Sequence, residues 1–294
     1  MAQSDPRSSA CDLIPAEVLA HVPGFGEAGS AARCRRLFGG TVNASFRVDT
    51  AAGSFVVRMH GRRGSELGAD RAREAALHRA AAAVGVAPAV RYADEAHRFM
   101  IMDFVRGPVW LARDFSRADR LRGLCESLSA LHGAPVPAVA PFDPEAVLAG
   151  HARRVLEAEP REAELVGRLL KQGEAALRGC RSGEREPVLV HNDLHHSNLI
   201  GEKAPMLIDW EYAAVADPLY DLGCVLAYYP QAQRHAALLL AGTGLEGSAT
   251  PGMLDHACRL YVLIFWFWYR VRRIGSPPRD DELAIEQELL RRLP

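Results

Sequence analysis

No two of the six cysteines, at positions 11, 34, 125, 180, 224 and 258, form a C-x-x-C pair. Spacings this wide argue against a zinc site or a disulfide framework, so six reduced thiols in a cytoplasmic protein are expected. Net charge is also nearly absent. Thirty-five Lys and Arg stand against 36 Asp and Glu, a formal charge of -1. No global field therefore draws the chain to nucleic acid or to an anionic membrane. One small basic cluster, "RCRR" at 33–36, reads as the solvated start of a strand. Long apolar runs are missing too. The longest, "YVLIFWFWY" at 261–269, falls far short of the roughly 20 residues that span a bilayer. The first residues, "MAQSDPRSSACDL", hold no apolar signal core, and no export signal is expected. A Walker-type G-x-x-x-x-G-K-[ST] and a helical H-E-x-x-H are both lacking. "GFGEAG" at 24–29 does match G-x-G-x-x-G, but Pro23 and a predicted helix precede it where a dinucleotide site needs a strand. The match is read as coincidence. Nothing in the sequence marks an oligomeric state.

What is present is ordinary globular material: 294 residues, 49% hydrophobic and 24% charged, enough for one large domain or two lobes. "AEVLAHV" after Pro15 predicts a short helix, and "SFRVDTAAGSFVVRMH" predicts a hairpin with period-two alternation. The Ala-rich stretch "GADRAREAALHRAAAAVG" predicts a helix stopped at Gly85. "APAVRYA" and "RFMIMDF" predict two more strands. After Gly107 and Pro108 the pattern turns helical, with Leu121, Leu124, Leu128 and Leu131 at spacings of three and four. Residues 1–104 are therefore expected to form a β-rich lobe, and residues 105–294 a larger, mainly helical one. Two short apolar strands interrupt the helical part, "EPVLVHNDL" and "APMLIDWEY".

Those two strands carry the chemistry. Each ends in a carboxylate, Asp193 and Asp209, and Asn198 follows Asp193 by five residues. The three are expected to converge at the edge of one small hairpin. Mg2+ takes oxygen ligands, usually one or two carboxylates completed by substrate phosphates. Asn198 and Asp209 suit that role, which leaves Asp193 free to accept a proton from a hydroxyl. Taken singly, each could be an ordinary strand or helix cap. Zn2+ on His191, His195 and His196 is the rival reading, without a helical frame to support it.

The order His191, Asp193, Asn198, Asp209 follows the kinase catalytic loop and its metal-binding Asp. The segments "HNDLHHSNLI", "LIDWEY" and "DPLYDLG" resemble the choline kinase and aminoglycoside phosphotransferase families, most closely bacterial choline kinases of the LicA type. The resemblance covers roughly residues 35–275. It implies an α+β, two-lobed, protein-kinase-like fold and transfer of a phosphoryl group from ATP, with Mg2+, to a small-molecule alcohol. On that reading His191 packs, and His195 and His196 are loop residues.

The remaining site residues are assigned on the same footing. "FGGTVNASF" at 38–46, with Gly39, Gly40, Thr41 and Asn43, could cradle phosphates, though an ordinary hairpin turn would look alike. Alternation puts Val56 and Arg58 on one strand face. The resemblance makes Arg58 the phosphate-binding cation, Glu74 its helix partner, and residues 102–106, with Asp103 and Val105, the adenine hinge. Glu211 would extend an acidic mouth. Trp266, Trp268 and Tyr269 would cage a cationic amino alcohol such as choline, unless they are an aromatic core stripe. Asp217 and Asp221 read as structural, with Asp221 bracing the catalytic loop. Thiamine and aminoglycosides are alternative acceptors, and an inactive kinase-like binding module is the alternative of a different class.

Overall fold

Alternating apolar residues build a five-stranded antiparallel sheet in the order β1-β2-β3-β5-β4. Its strands are β1 (Arg33–Leu37), β2 (Ala44–Thr50), β3 (Gly53–Met59), β4 (Val90–Ala93) and β5 (Phe99–Asp103). The computed structural model describes residues 10–27, 32–37, 43–61, 70–181, 185–275 and 280–293. In the β2–β3 hairpin Phe46 sits opposite Val57, and Val48 opposite Phe55. These four, with Phe99 and Ile101, form one apolar face of the sheet.

That face is covered by the N-terminal segment. Helix α1 (Ala16–Leu19) follows Pro15, and Ile14, Val18, Leu19 and Val22 are buried against the sheet. Thr50 Oγ1 donates to the Pro23 carbonyl at 2.7 Å and ties the hairpin turn to the same segment. The bond that fixes it most firmly was not foreseen. Cys11 and Cys34 are joined as a disulfide, whereas Cys125, Cys180, Cys224 and Cys258 are free. The expectation of six reduced thiols is thus corrected. Positions 23 apart in sequence meet because the segment doubles back over β1.

The opposite face carries Val56, Arg58, Met100 and Met102. Helix α2 (Arg71–Ala83) lies on it through Ala75. Its alanines let it lie close to the sheet. Asp70 caps its N-terminus by accepting from Arg73 N at 3.0 Å, and Gly85 (φ 80) follows its end.

Beyond Pro108 the chain forms α3 (Ala118–His132), α4 (Pro144–Ala158), α5 (Ala163–Cys180), α6 (Leu219–Tyr228), α7 (Ala236–Gly242), α8 (Pro251–Arg273) and α9 (Asp280–Arg291). Leu121, Leu124, Leu128 and Leu131 are all fully buried in one contiguous core. The long helix α8 is its axle and packs on α4, α5, α6 and α9. Gly223 lets α6 approach it: a Cβ there would meet Ala257 atoms at 2.7–2.8 Å. No helix among the described residues is long and apolar enough to cross a membrane.

Two small sheets are set into this helical body. β6 (Val188–Val190) pairs with β9 (Ala214–Ala216), and β7 (Leu199–Ile200) pairs with β8 (Met206–Leu207). The two strands of the motif are therefore not partners in one hairpin, as expected, but belong to two adjacent ribbons.

The disulfide can be checked directly. Thiol titration of the unfolded, unreduced chain should find four free cysteines, and six after reduction. Closing a loop of this length should stabilise the protein by about 3 kcal/mol, so Cys34→Ser should lower the melting temperature. Six reactive thiols before reduction would contradict the bond.

Candidate active site

Strand β6 delivers His191, Asn192 and Asp193 to the cleft, and Asp221 from the first turn of α6 holds them there. Its carboxylate accepts from His191 N at 3.0 Å, from Asn192 N at 2.9 Å and from His132 Nε2 at 3.0 Å. Asn192 takes a left-handed backbone (φ 63), which Asn tolerates better than most residues. Its side chain is fixed at both ends. Nδ2 donates to the Tyr212 carbonyl at 3.1 Å, and Oδ1 accepts from the Tyr261 hydroxyl. This twist turns Asp193 outward.

Asp193 is half-buried and keeps access to the cleft. Oδ1 accepts from the Tyr228 hydroxyl at 2.6 Å, and Oδ2 from Asn198 Nδ2 at 2.9 Å. Loss of hydration, reinforced by the charges of Asp209 and Glu211, pushes its carboxyl up to about 7 against the pull of those hydrogen bonds. A carboxylate poised near neutrality suits a general base. Asn198 Nδ2 also donates to the Asp193 carbonyl at 2.9 Å. With the amide nitrogen committed twice, Oδ1 is the atom left for a cation. Asp209 follows β8 in a left-handed conformation (φ 65), its side chain 35% exposed. An amide oxygen and one accessible carboxylate fit Mg2+, which fills its remaining positions with water and phosphate oxygens.

The histidines are engaged in other ways. Buried His191 donates from Nε2 to the Ile208 carbonyl at 2.9 Å and accepts at Nδ1 from Asp193 N at 3.3 Å. Burial lowers its pKa, so it is the neutral tautomer that packs its ring against Trp210. His195 Nδ1 pairs with Ser197 Oγ at 2.8 Å, and His196 Nδ1 with the Tyr229 hydroxyl at 2.8 Å. With both ring nitrogens of His191 engaged, a zinc shared by all three histidines would have to break a contact of His191.

The sheet supplies cations from above. Arg58 donates from one guanidinium nitrogen to Glu74 at 2.9 Å, the pair that the resemblance implied, and from the other to Asp209 at 2.7 Å. Glu211 does not open toward an acceptor, as expected, but bridges the lobes. Its Oε2 accepts from Asn43 Nδ2 at 3.0 Å, Arg71 at 3.1 Å and Arg58 at 3.3 Å. Burial and the charge of Asp209 raise its pKa, while Arg58, Asn43 and Arg71 oppose the rise. Gly39, Gly40 and Thr41 lie outside the described residues. At the expected hinge the Asp103 side chain is taken by Arg91 in a two-pronged pair at 2.7 Å. Asp103 N donates to Ala89 and Phe104 N to Ser54, whereas Val105 N–H donates to no backbone carbonyl among the described residues.

The aromatic stripe on α8 divides. The face toward the catalytic loop is Tyr261, Phe265 and Trp268, spaced by four and three. Phe265 stacks on Tyr228 at 4.2 Å, and Trp268 Nε1 donates to the Tyr212 hydroxyl at 2.9 Å. Trp266 is one residue, or about 100°, off that face. It is 2% exposed in the core, with the Arg270 guanidinium 5.2 Å from its ring centre. Trp266 is therefore corrected from cage to core. Tyr269 is half-buried at the edge of Trp268, whose ring is also approached by Arg272 at 6.0 Å. Sequence reasoning missed Arg71, Tyr212 and Tyr228. Only Arg71 left a signal, three residues before Glu74 and so on the same helix face.

Residues 33–254 match the model of the phosphotransferase enzyme family APH. No curated protein sequence matches the chain. Among solved structures, a choline/ethanolamine kinase family protein from Mesorhizobium loti is similar, with TM-score 0.73 and 24% identity over 94% of this chain and 91% of that one. Choline kinase LicA from Streptococcus pneumoniae gives 0.72 and 14%, covering 88% and 92%. A spectinomycin phosphotransferase solved with ADP and spectinomycin gives 0.58 and 14%, covering 87% and 88%. At these identities the structural likeness shows the α+β, two-lobed, protein-kinase-like fold. The family match spans most of the chain, and the protein belongs to the phosphotransferase enzyme family.

Proposed function

We propose that this protein transfers the γ-phosphate of ATP, with Mg2+, to the hydroxyl of a small cationic amino alcohol, choline first. The observation that carries the reading is Asp193, a half-buried carboxylate held by Tyr228 and Asn198 within the field of Asp209 and Glu211. Asp193 takes the acceptor's proton as the oxygen attacks. Asn198 and Asp209 hold Mg2+, which when bound neutralises phosphate charge. Arg58, fixed by Glu74, reaches the phosphates, and Val105 N–H with the Asp103 backbone receives adenine. Residues 1–104 then act as the nucleotide-binding lobe and 105–294 as the catalytic and acceptor-binding lobe. A protein that spends ATP and Mg2+ belongs in the cytoplasm, although the Cys11–Cys34 bond pulls the other way.

For the acceptor, Tyr212, Tyr228, Phe265 and Trp268 offer aromatic surface beside the base, and aromatic faces attract quaternary ammonium. One observation favours a second reading. Arg272 already approaches the Trp268 ring. An acceptor held by hydrogen bonds, such as an aminoglycoside, would not compete for that face. Thiamine is a further acceptor to test, and an inactive kinase-like binding module is the reading of a different class.

Asp193→Asn should cut turnover by roughly 10²- to 10⁴-fold, the usual worth of a positioned base, with nucleotide affinity nearly unchanged. Turnover near the wild-type rate would remove Asp193 from the chemistry.

The two tryptophans should separate. Trp268→Ala should raise the KM for choline by roughly 2- to 30-fold and lower the choline-to-ethanolamine efficiency ratio. Trp266→Ala should leave the ratio alone and destabilise the fold by about 3–5 kcal/mol, as a buried aromatic does. A ratio unmoved by Trp268→Ala would end the case for an aromatic acceptor site.

A further inference from the structure

Three donors from the small lobe converge on one carboxylate oxygen, Glu211 Oε2: Asn43 Nδ2 at 3.0 Å, an Arg71 nitrogen at 3.1 Å and an Arg58 nitrogen at 3.3 Å. Two positive groups and an amide aimed at a single anionic oxygen are the donor set that binds a phosphate oxygen. The donors are built into place. Asn43 Oδ1 accepts from Arg71 at 2.9 Å and from Gly61 N at 3.2 Å, which turns Nδ2 toward Glu211. The side chains of Arg58, Arg71 and Glu211 are 7%, 12% and 9% exposed, so the attraction is little screened by water.

Pairing of charge within the small lobe does not explain the convergence. Glu74 already bonds both Arg58 at 2.9 Å and Arg71 at 2.8 Å. Glu211 arrives from the other lobe and takes a different Arg58 nitrogen, the one that also reaches Asp209.

We propose that Asn43, Arg58 and Arg71 form a three-donor cradle for a nucleotide phosphate, with Arg71 a second phosphate-reading guanidinium, and that Glu211 Oε2 holds a phosphate oxygen's place in it. The proposal rests on the phosphotransferase reading above. It makes Glu211 a competitor of the nucleotide: a phosphate oxygen enters as the carboxylate leaves. Arg71 then adds affinity for phosphate and none for adenine or ribose.

The test is equilibrium binding of ATP and of adenosine, measured by calorimetry in the presence of a chelator, so that neither turnover nor metal enters the readout. Arg71→Ala should weaken ATP about 10-fold and leave adenosine unchanged, with Arg71→Lys recovering part of the loss. The near-isosteric Glu211→Gln should tighten ATP by roughly 5- to 10-fold, again without effect on adenosine, because the competing charge is gone. Thermal melts identify any variant that fails to fold, and Glu211→Gln, which keeps size and shape, still decides the matter if Arg71→Ala does. ATP affinity unmoved or weakened by Glu211→Gln, or equal losses for ATP and adenosine in Arg71→Lys, would overturn the cradle alone. Wild-type protein that binds neither ATP nor adenosine would overturn the phosphotransferase reading along with it.

Discussion

Asp221 is wholly shut off from water, and its carboxylate is met by two backbone N–H groups and a histidine nitrogen. A buried charge is tolerable only when its hydrogen bonds are complete, and removing a partner typically costs about 3–5 kcal/mol. That penalty holds the turn after β6 in place. The amides of His191 and Asn192 have one place to go, so the chain leaving β6 must turn there. Asn192 absorbs the turn in a left-handed conformation, locked by Tyr261 below and Tyr212 beside it. Asp193 is then presented to the cleft by a backbone that cannot relax, with Tyr228 and Asn198 setting the plane of its carboxylate. As the proposed base, Asp193 held this way would not reorganise when a hydroxyl arrives, which is where enzymes gain most over water.

The second constraint is charge balance between the lobes. Glu74, Asp209 and Glu211 face Arg58 and Arg71, and Asp193 adds a fourth acid close by. The excess of negative charge favours a divalent cation, and the two guanidiniums favour phosphate. The same ion pairs join the sheet to the helical body. Farther out, Arg270 binds Glu159, and Arg272 binds Glu282 on α9, which fixes the C-terminal end of α8 and with it the rotation that sends Trp268 to the cleft and Trp266 to the core.

Local periodicity made much of this legible. Alternation placed Val56 and Arg58 on one face of β3, and the three-four spacing of leucines from Leu121 to Leu131 predicted the buried stripe of α3. The spacing from Asp193 to Asn198 predicted that the two would meet, because five residues suffice for an amide to reach back to a carboxylate. What escaped depends on distant parts of the chain meeting. Cys11 and Cys34 pair only because the N-terminal segment folds over the sheet. Strand β6 finds β9, not the strand that precedes Asp209. Glu211 looked like part of an acidic mouth because no local pattern says that Asn43 and Arg71 descend onto it. The tryptophans could not be told apart either, since the rotation of a helix is set by its neighbours and not by its own aromatic content.

On the proposed reading Asp193 and its surroundings move a phosphoryl group to an alcohol. Phosphorus NMR of the protein with ATP, Mg2+ and a panel holding choline, ethanolamine, thiamine and an aminoglycoside reads this directly. One acceptor should yield a new phosphomonoester resonance growing in step with ADP, and chelation should abolish it. An unchanged ATP spectrum with every acceptor, or inorganic phosphate as the only product, would contradict the account.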